Sequence, residues 1–220
     1  MNRIRKNSAV TLLVLAGMTL GSTAGMANIA MAQPTKPTAA GNPATLSARQ
    51  AQIQQADALA QNGRKAMSYI VAARQLLTEQ HEDEARQYLE QARALLTKLK
   101  SEVSAEKGNA SDLLPIYSQL GISKEVEITK QLRQKLETAH LDVVRGKHKK
   151  VVETLKSVGI ELQYSFVDLP VAATLGKVES ALKSLSEKNS EQASKTLSDA
   201  EAELIHDSIV INAVNDNPAG

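Results

Sequence analysis

The chain has 220 residues, with 26 Lys and Arg against 24 Asp and Glu, and it contains no cysteine and no tryptophan. The missing cysteine excludes a thiol nucleophile, a redox pair, a lipoprotein anchor and a thiolate metal site. Tyr69, Tyr88, Tyr117, Tyr164 and Phe166 are the five aromatics, so the core is left to Ala, Leu, Val and Ile, which suits closely approaching helices better than a β-sandwich.

The amino terminus reads as an export signal. Arg3, Arg5 and Lys6 precede an apolar run from Ala9 to Leu20 that is too short to span a bilayer, and Ala30-Met31-Ala32 supplies small residues for cleavage after Ala32. Residues 1–32 are thus predicted to be removed, leaving 188 residues with 23 basic and 24 acidic side chains. No second apolar run is long enough to cross a membrane, so the processed chain is expected to be soluble and periplasmic. Residues 33–45 carry three prolines and read as a polar, disordered linker. A single domain is expected over 46–214, followed by a disordered tail, 215–220.

Ser47 with Gln50 predicts a capping box opening the first helix, which Asn62-Gly63 is expected to kink or break. An internal pattern follows. Ala73, Leu77, Ala85, Leu89 and Ala92 are spaced 4, 8, 4, 3; Ala139, Val143, Val151, Leu155 and Val158 repeat that spacing, and so do Ala181, Leu185, Ala193, Leu197 and Ala200. Steps of 3 and 4 keep apolar residues on one helical face, and each step of 8 crosses a polar stretch. The pattern predicts three helical hairpins with small residues at the crossings. It is similar to a tetratricopeptide hairpin, but the sets start 66 and then 42 residues apart, so no regular solenoid is predicted.

Two segments interrupt the helices. Around Pro115, Asp112 reads as the N-cap of a short helix ended by Gly121, with Ser123 capping the next. Further on, Ile160, Leu162, Tyr164 and Phe166 alternate with polar residues, a strand signature, and 208–212 is short and β-branched. These two stretches either pair as a two-stranded ribbon or form a buried extended loop and a frayed helix end.

The stretches Leu113-Leu114-Pro115-Ile116-Tyr117-Ser118-Gln119-Leu120-Gly121 and Gly159 through Glu179 resemble the YfdX family, over roughly residues 50 to 214. The resemblance implies a mainly helical, exported bacterial protein that oligomerises. It also implies a link to acid and multidrug stress, with chaperone-like or drug-binding behaviour. The family offers no catalytic residues to carry over.

Candidate sites are few. Glu137 with His140 and Glu203 with His206 are both Glu-x-x-His, which on a helix puts carboxylate and imidazole on one face, as in di-iron bundles; solvated side chains are the competing reading. Arg145-Gly146-Lys147-His148-Lys149-Lys150 is a basic run that could meet anionic lipid or an acidic partner, or simply be a solvated turn favouring the preceding helix C-terminus. Tyr117, Tyr164 and Phe166 could line an apolar groove for a ligand, or plug the core. His81, His140, His148 and His206 are candidate pH sensors, His81 beside Glu82, Asp83 and Glu84. Hydrolase and nucleotide-binding motifs are absent from the sequence.

The sequence therefore predicts an all-α fold of helical hairpins with a small two-stranded β element. The expected activity is non-enzymatic and cofactor-free: a stress-linked binding protein, acting as an acid-responsive holdase or drug-binding protein. A metal-binding carboxylate–histidine bundle and a structural oligomer are the alternatives. Expected partners are further copies of the chain and unfolded proteins or drug-like molecules, not nucleic acid.

Overall fold

The computed structural model describes residues 10–13, 43–105, 112–123 and 129–211. Apart from 10–13, the predicted signal lies outside them, as does the tail. The predicted linker does too, except for 43–45, which are helical.

Six helices form the three predicted hairpins: α1 (Pro43–Thr78) with α2 (Glu82–Ala105), α3 (Lys130–Val144) with α4 (His148–Lys156), and α5 (Val171–Ser186) with α6 (Ser190–Ala202). All fifteen residues of the repeated pattern face inward; only Val158 is less than fully buried.

The hairpins share one turn. Gln80, Gly146 and Lys188 adopt left-handed φ of 66°, 65° and 59°. In each, the following amide reaches back five residues: His81 N to Leu76 O at 2.9 Å, Lys147 N to Asp142 O at 2.8 Å, Asn189 N to Ser184 O at 2.9 Å. A second bond, reaching back three residues, closes the same turn, from the amides of Gln80, Gly146 and Lys188 to the carbonyls of Leu77, Val143 and Leu185. This is the Schellman motif, which satisfies the last carbonyls of a helix.

The packing of the hairpins differs. α2 lies on α5 and α1 on α6, so the first and third hairpins make a four-helix bundle. Its core runs from Ala66 and Ile70 through Leu89, Leu96 and Leu99 to Val178, Leu182 and Leu197. Ion pairs lace its surface, among them Arg74–Glu201 at 2.6 Å between α1 and α6. The middle hairpin instead covers an antiparallel sheet ordered β2 (Leu113–Ser123), β3 (Leu162–Pro170), β4 (Ile205–Ile211). A second core lies between them, built of Leu120, Ala139, Val143, Val151, Leu155, Leu162, Tyr164, Phe166 and Ile211. A four-residue strand, β1 (Val10–Leu13), pairs with Leu120–Ser123 on the free side of β2.

The predicted ribbon exists as β3–β4, with Leu162 opposite Ile211 and Asp168 opposite Ile205. It is not two-stranded, because the segment around Pro115 is strand β2 and not a short helix. Tertiary pairing overrides the local signals there. β2 runs beside β3 from Leu113↔Pro170 to Ile122↔Leu162, and the register shifts between Pro115 and Tyr117. The bulge accommodates a proline within a strand, and Arg64 Nη1 donates to the Ile116 carbonyl at 2.6 Å. Ser123 therefore ends a strand; the next helix is capped by Thr129, whose hydroxyl accepts from Leu132 N at 3.1 Å.

Gly63 does not break α1, which is continuous from a proline in its first turn, four residues before the predicted Ser47 start. A Cβ at Gly63 would lie 2.7 Å from Ile116 Cγ2, 3.0 Å from Leu114 Cδ2 and 3.4 Å from Leu169 Cδ2. The glycine is where the long helix crosses the sheet.

Candidate functional site

The most distinctive chemistry lies at the seam between the two cores. On β3 the two-residue period sets Leu162, Tyr164, Phe166 and Asp168 on the face under the middle hairpin. Asp168 is thus an acid in phase with three apolar residues, and it is 3% exposed. Above it, the left-handed Gly146 turns the chain so that His148 opens α4. A Cβ on Gly146 would lie 3.2 Å from Pro115 Cγ and 3.8 Å from His148 Nε2, so the turn sits directly on the β2 bulge.

His148 binds both polar residues of that face. Its Nε2 is 2.8 Å from Asp168 Oδ2, its Nδ1 is 2.9 Å from the Tyr164 hydroxyl, and its ring stacks on Phe166 with centroids 3.5 Å apart and planes 9° from parallel. In the neutral imidazole, Nε2–H donates to the carboxylate and Nδ1 accepts from the tyrosine. Burial, reinforced by the Asp168 charge, raises the Tyr164 hydroxyl well above its ordinary range, so it remains a donor. Asp168 Oδ1 is buried and has no hydrogen-bond partner among the described residues.

The other side of the middle hairpin leans on the first half of α1. Arg49 Nη2 donates to the carbonyls of Glu137 and Thr138, the latter at 3.2 Å. His140 is half-buried there. Desolvation lowers its pKa below the ordinary histidine value; Arg49 adds to that effect and Asp57 opposes it.

Of the predicted pH sensors, His148 ties the middle hairpin to the sheet and His140 lies half-buried where the hairpin meets α1. His81 is exposed and paired with Glu84 at 2.5 Å, and His206 is exposed on β4. The predicted ligand trio is not brought together. Tyr164 and Phe166 are buried under His148, while Tyr117, opposite Val167, is 41% exposed on the other sheet face and bonded to Gln119. The second Glu-x-x-His is not helical: Glu203 caps α6 and pairs with Lys177 at 3.0 Å, and His206 lies on a strand. Glu137 and His140 remain on α3, and no group of three or more metal-ligating side chains occurs among the described residues. Asp168 was not singled out from sequence; its signal was an acid in register with alternating apolar residues.

Residues 66–210 match the model of the YfdX protein family. The chain belongs to the YfdX family. A solved structure similar to it is Salmonella Typhi YfdX, at 23% identity, with 69% of this chain and 91% of that one covered and a TM-score of 0.45. No curated protein matches the chain. No helix of the described residues is long and apolar enough to cross a membrane.

Proposed function

We propose that this YfdX protein is an exported, non-enzymatic binding protein that uses acid to release its middle hairpin from the sheet. The uncovered apolar surface would then hold unfolded proteins or drug-like molecules. The observation that carries the reading is the buried His148–Asp168–Tyr164 network at that seam. Its predicted signal supports periplasmic action, and cleavage after Ala32 would remove β1 and leave β2 as a free edge.

Each protonation changes what the network can bond. Protonating His148 alone keeps the bond to Asp168 and makes it an ion pair, but Nδ1 becomes a donor and Tyr164 loses its acceptor. Protonating Asp168 as well leaves a partly buried imidazolium stacked on Phe166 without a counter-charge, which is unfavourable. His140 contributes separately. Its folded pKa is depressed, so its contribution is present above the unfolded value of about 6.5 and is lost as pH falls through the folded one. Loss of the Asp168 charge and protonation of His140 both favour release in acid.

The test is ANS fluorescence and suppression of client aggregation from neutral pH to about pH 4, the ordinary carboxylate range. Both should rise as pH falls. Asp168→Asn should move the onset to higher pH, because protonated His148 then lacks its counter-charge. Flat profiles, or an unchanged onset in Asp168→Asn, would remove the support for an acid-released site.

A further inference from the structure

Between residues 129 and 158 the middle hairpin carries eight Lys and Arg against three Asp and Glu, whereas residues 171–202 carry four against five. Salt bridges in the bundle engage Arg74, Arg93, Lys98, Lys177 and Lys183. Among the described residues, none of the eight cations on the middle hairpin is in a salt bridge; where a side chain of the hairpin meets a carboxylate, it is His148 with Asp168. Lys130, Arg133, Lys149, Lys150 and Lys156 are exposed. The hairpin buries a stripe toward the sheet and rests on α1 through α3, and these exposed side chains lie outside both contacts.

A second feature is the placement of Lys149 and Lys150 in the first turn of α4, which has no acid there. Cations at a helix N-terminus oppose the helix dipole. The equivalent turn of α2 carries Glu82, Asp83 and Glu84, and that of α6 carries Glu191. The middle hairpin thus holds its charges against both their own repulsion and the local field, which an external anion would relieve.

We propose that the outer face of α3–α4 is an electrostatic docking surface for an anionic phospholipid bilayer. A bilayer fits better than a protein or a nucleic acid. Val71, Tyr88, Tyr117, Ile205 and Val210 are the large apolar residues exposed among the described residues, and none is on α3 or α4. The face therefore lacks the apolar anchor on which protein interfaces depend and the aromatic platform on which bases stack. Long, exposed, unpaired lysines need no defined geometry in the partner, only a dense sheet of phosphate charge. The proposal does not depend on acid release.

The experiment is co-sedimentation of the protein recovered from cells with vesicles of phosphatidylglycerol and phosphatidylcholine in equal parts, and with phosphatidylcholine alone. Binding should be confined to the anionic vesicles and weaken as salt rises, since charges are screened beyond about 8–10 Å at physiological ionic strength. Each basic residue near the surface is worth about fivefold in binding, so Lys149→Glu with Lys150→Glu should weaken it by about 25-fold or more. Those changes suit the α4 N-terminus and should not unfold it. Arg133→Glu should weaken binding independently, and Lys195→Glu on α6 should leave it unchanged. Equal binding to both vesicle types, no binding to either, or undiminished binding by the double variant would overturn the proposal. Capture by poly-glutamate without vesicle binding would overturn it in favour of an acidic protein partner.

Discussion

The first and third hairpins and the middle one are built alike and placed differently. All three use the same spacing of small and branched residues and the same left-handed turn. The first and third pack on one another, so each helix of the bundle has neighbours on two sides. The middle hairpin lies over a sheet, with one face buried, two histidines at its seams and its cations unpaired. Shared local geometry therefore sets how a hairpin closes, while its partner decides how firmly it is held. Opening free energies differ across a fold according to buried contact, and the middle hairpin is the segment placed to open first.

The largest effects should separate the two regions. Leu197→Ala in the bundle and Leu155→Ala under the middle hairpin each empty a fully buried site and should cost about 2–5 kcal/mol. Their consequences should differ. Leu197→Ala should lower the melting temperature of the whole domain, whereas Leu155→Ala should chiefly speed amide exchange in α3 and α4. Exchange of the middle hairpin only through global unfolding, in either variant, would erase the distinction.

The helical part of this comparison was legible in sequence and the seam was not. The fifteen pattern positions announce themselves because a helical face repeats along its own chain. His148 meets Asp168 only through a turn, a strand register and a bulge around Pro115, none of which has a local period. The basic residues flanking His148 made it resemble one more solvated side chain. β2 was hidden for the same reason: Pro115 and Asp112 favour a helix start locally, and the nine-position pairing with β3 overrides them. Gly63 carried a breaker signal because sequence does not show that Ile116 will press against it.

Glycines give the next test, since Gly63, Gly146 and Gly176 differ in what surrounds them. Gly63→Ala gains up to about 1 kcal/mol of helix propensity, but it forces a methyl to 2.7 Å from Ile116 Cγ2 in a packed core. Overpacking of that kind costs about 1–3 kcal/mol, so net destabilisation of about 1–2 kcal/mol is expected in denaturant titration. Gly146→Ala should cost a similar amount, from its left-handed φ and its approach to Pro115, and should loosen α3–α4 selectively. Gly176→Ala, with nothing within 4 Å of its added carbon, should stabilise α5 by about 0.5–1 kcal/mol. A loss at Gly176 as large as that at Gly63 would mean that contact with β2 is not what separates them.

A smaller effect should appear in the pH dependence of stability. His140→Gln removes a base whose charged form is disfavoured by burial between α1 and α3. Neutral His140 is the favoured form in the fold, so wild-type stability should fall as pH drops below about 6.5. The variant should show a shallower fall over that window, measured as denaturation midpoint against pH. A steeper fall would mean that attraction to Asp57 outweighs desolvation.

The smallest effect concerns the turns themselves. Gly146 adopts the left-handed conformation without penalty, but Gln80 and Lys188 carry a Cβ there, at a cost of about 1 kcal/mol each. Part of that strain should be recovered in Gln80→Gly and Lys188→Gly, less the greater entropy glycine gives the unfolded chain. A stabilisation of about half a kcal/mol is expected at each site, with no change in ANS response, because both turns belong to the bundle. The hairpin with the least strained turn is then also the one proposed to open. Its release must come from the seam beneath it, where His148 and Asp168 meet, and not from the bend that joins its helices.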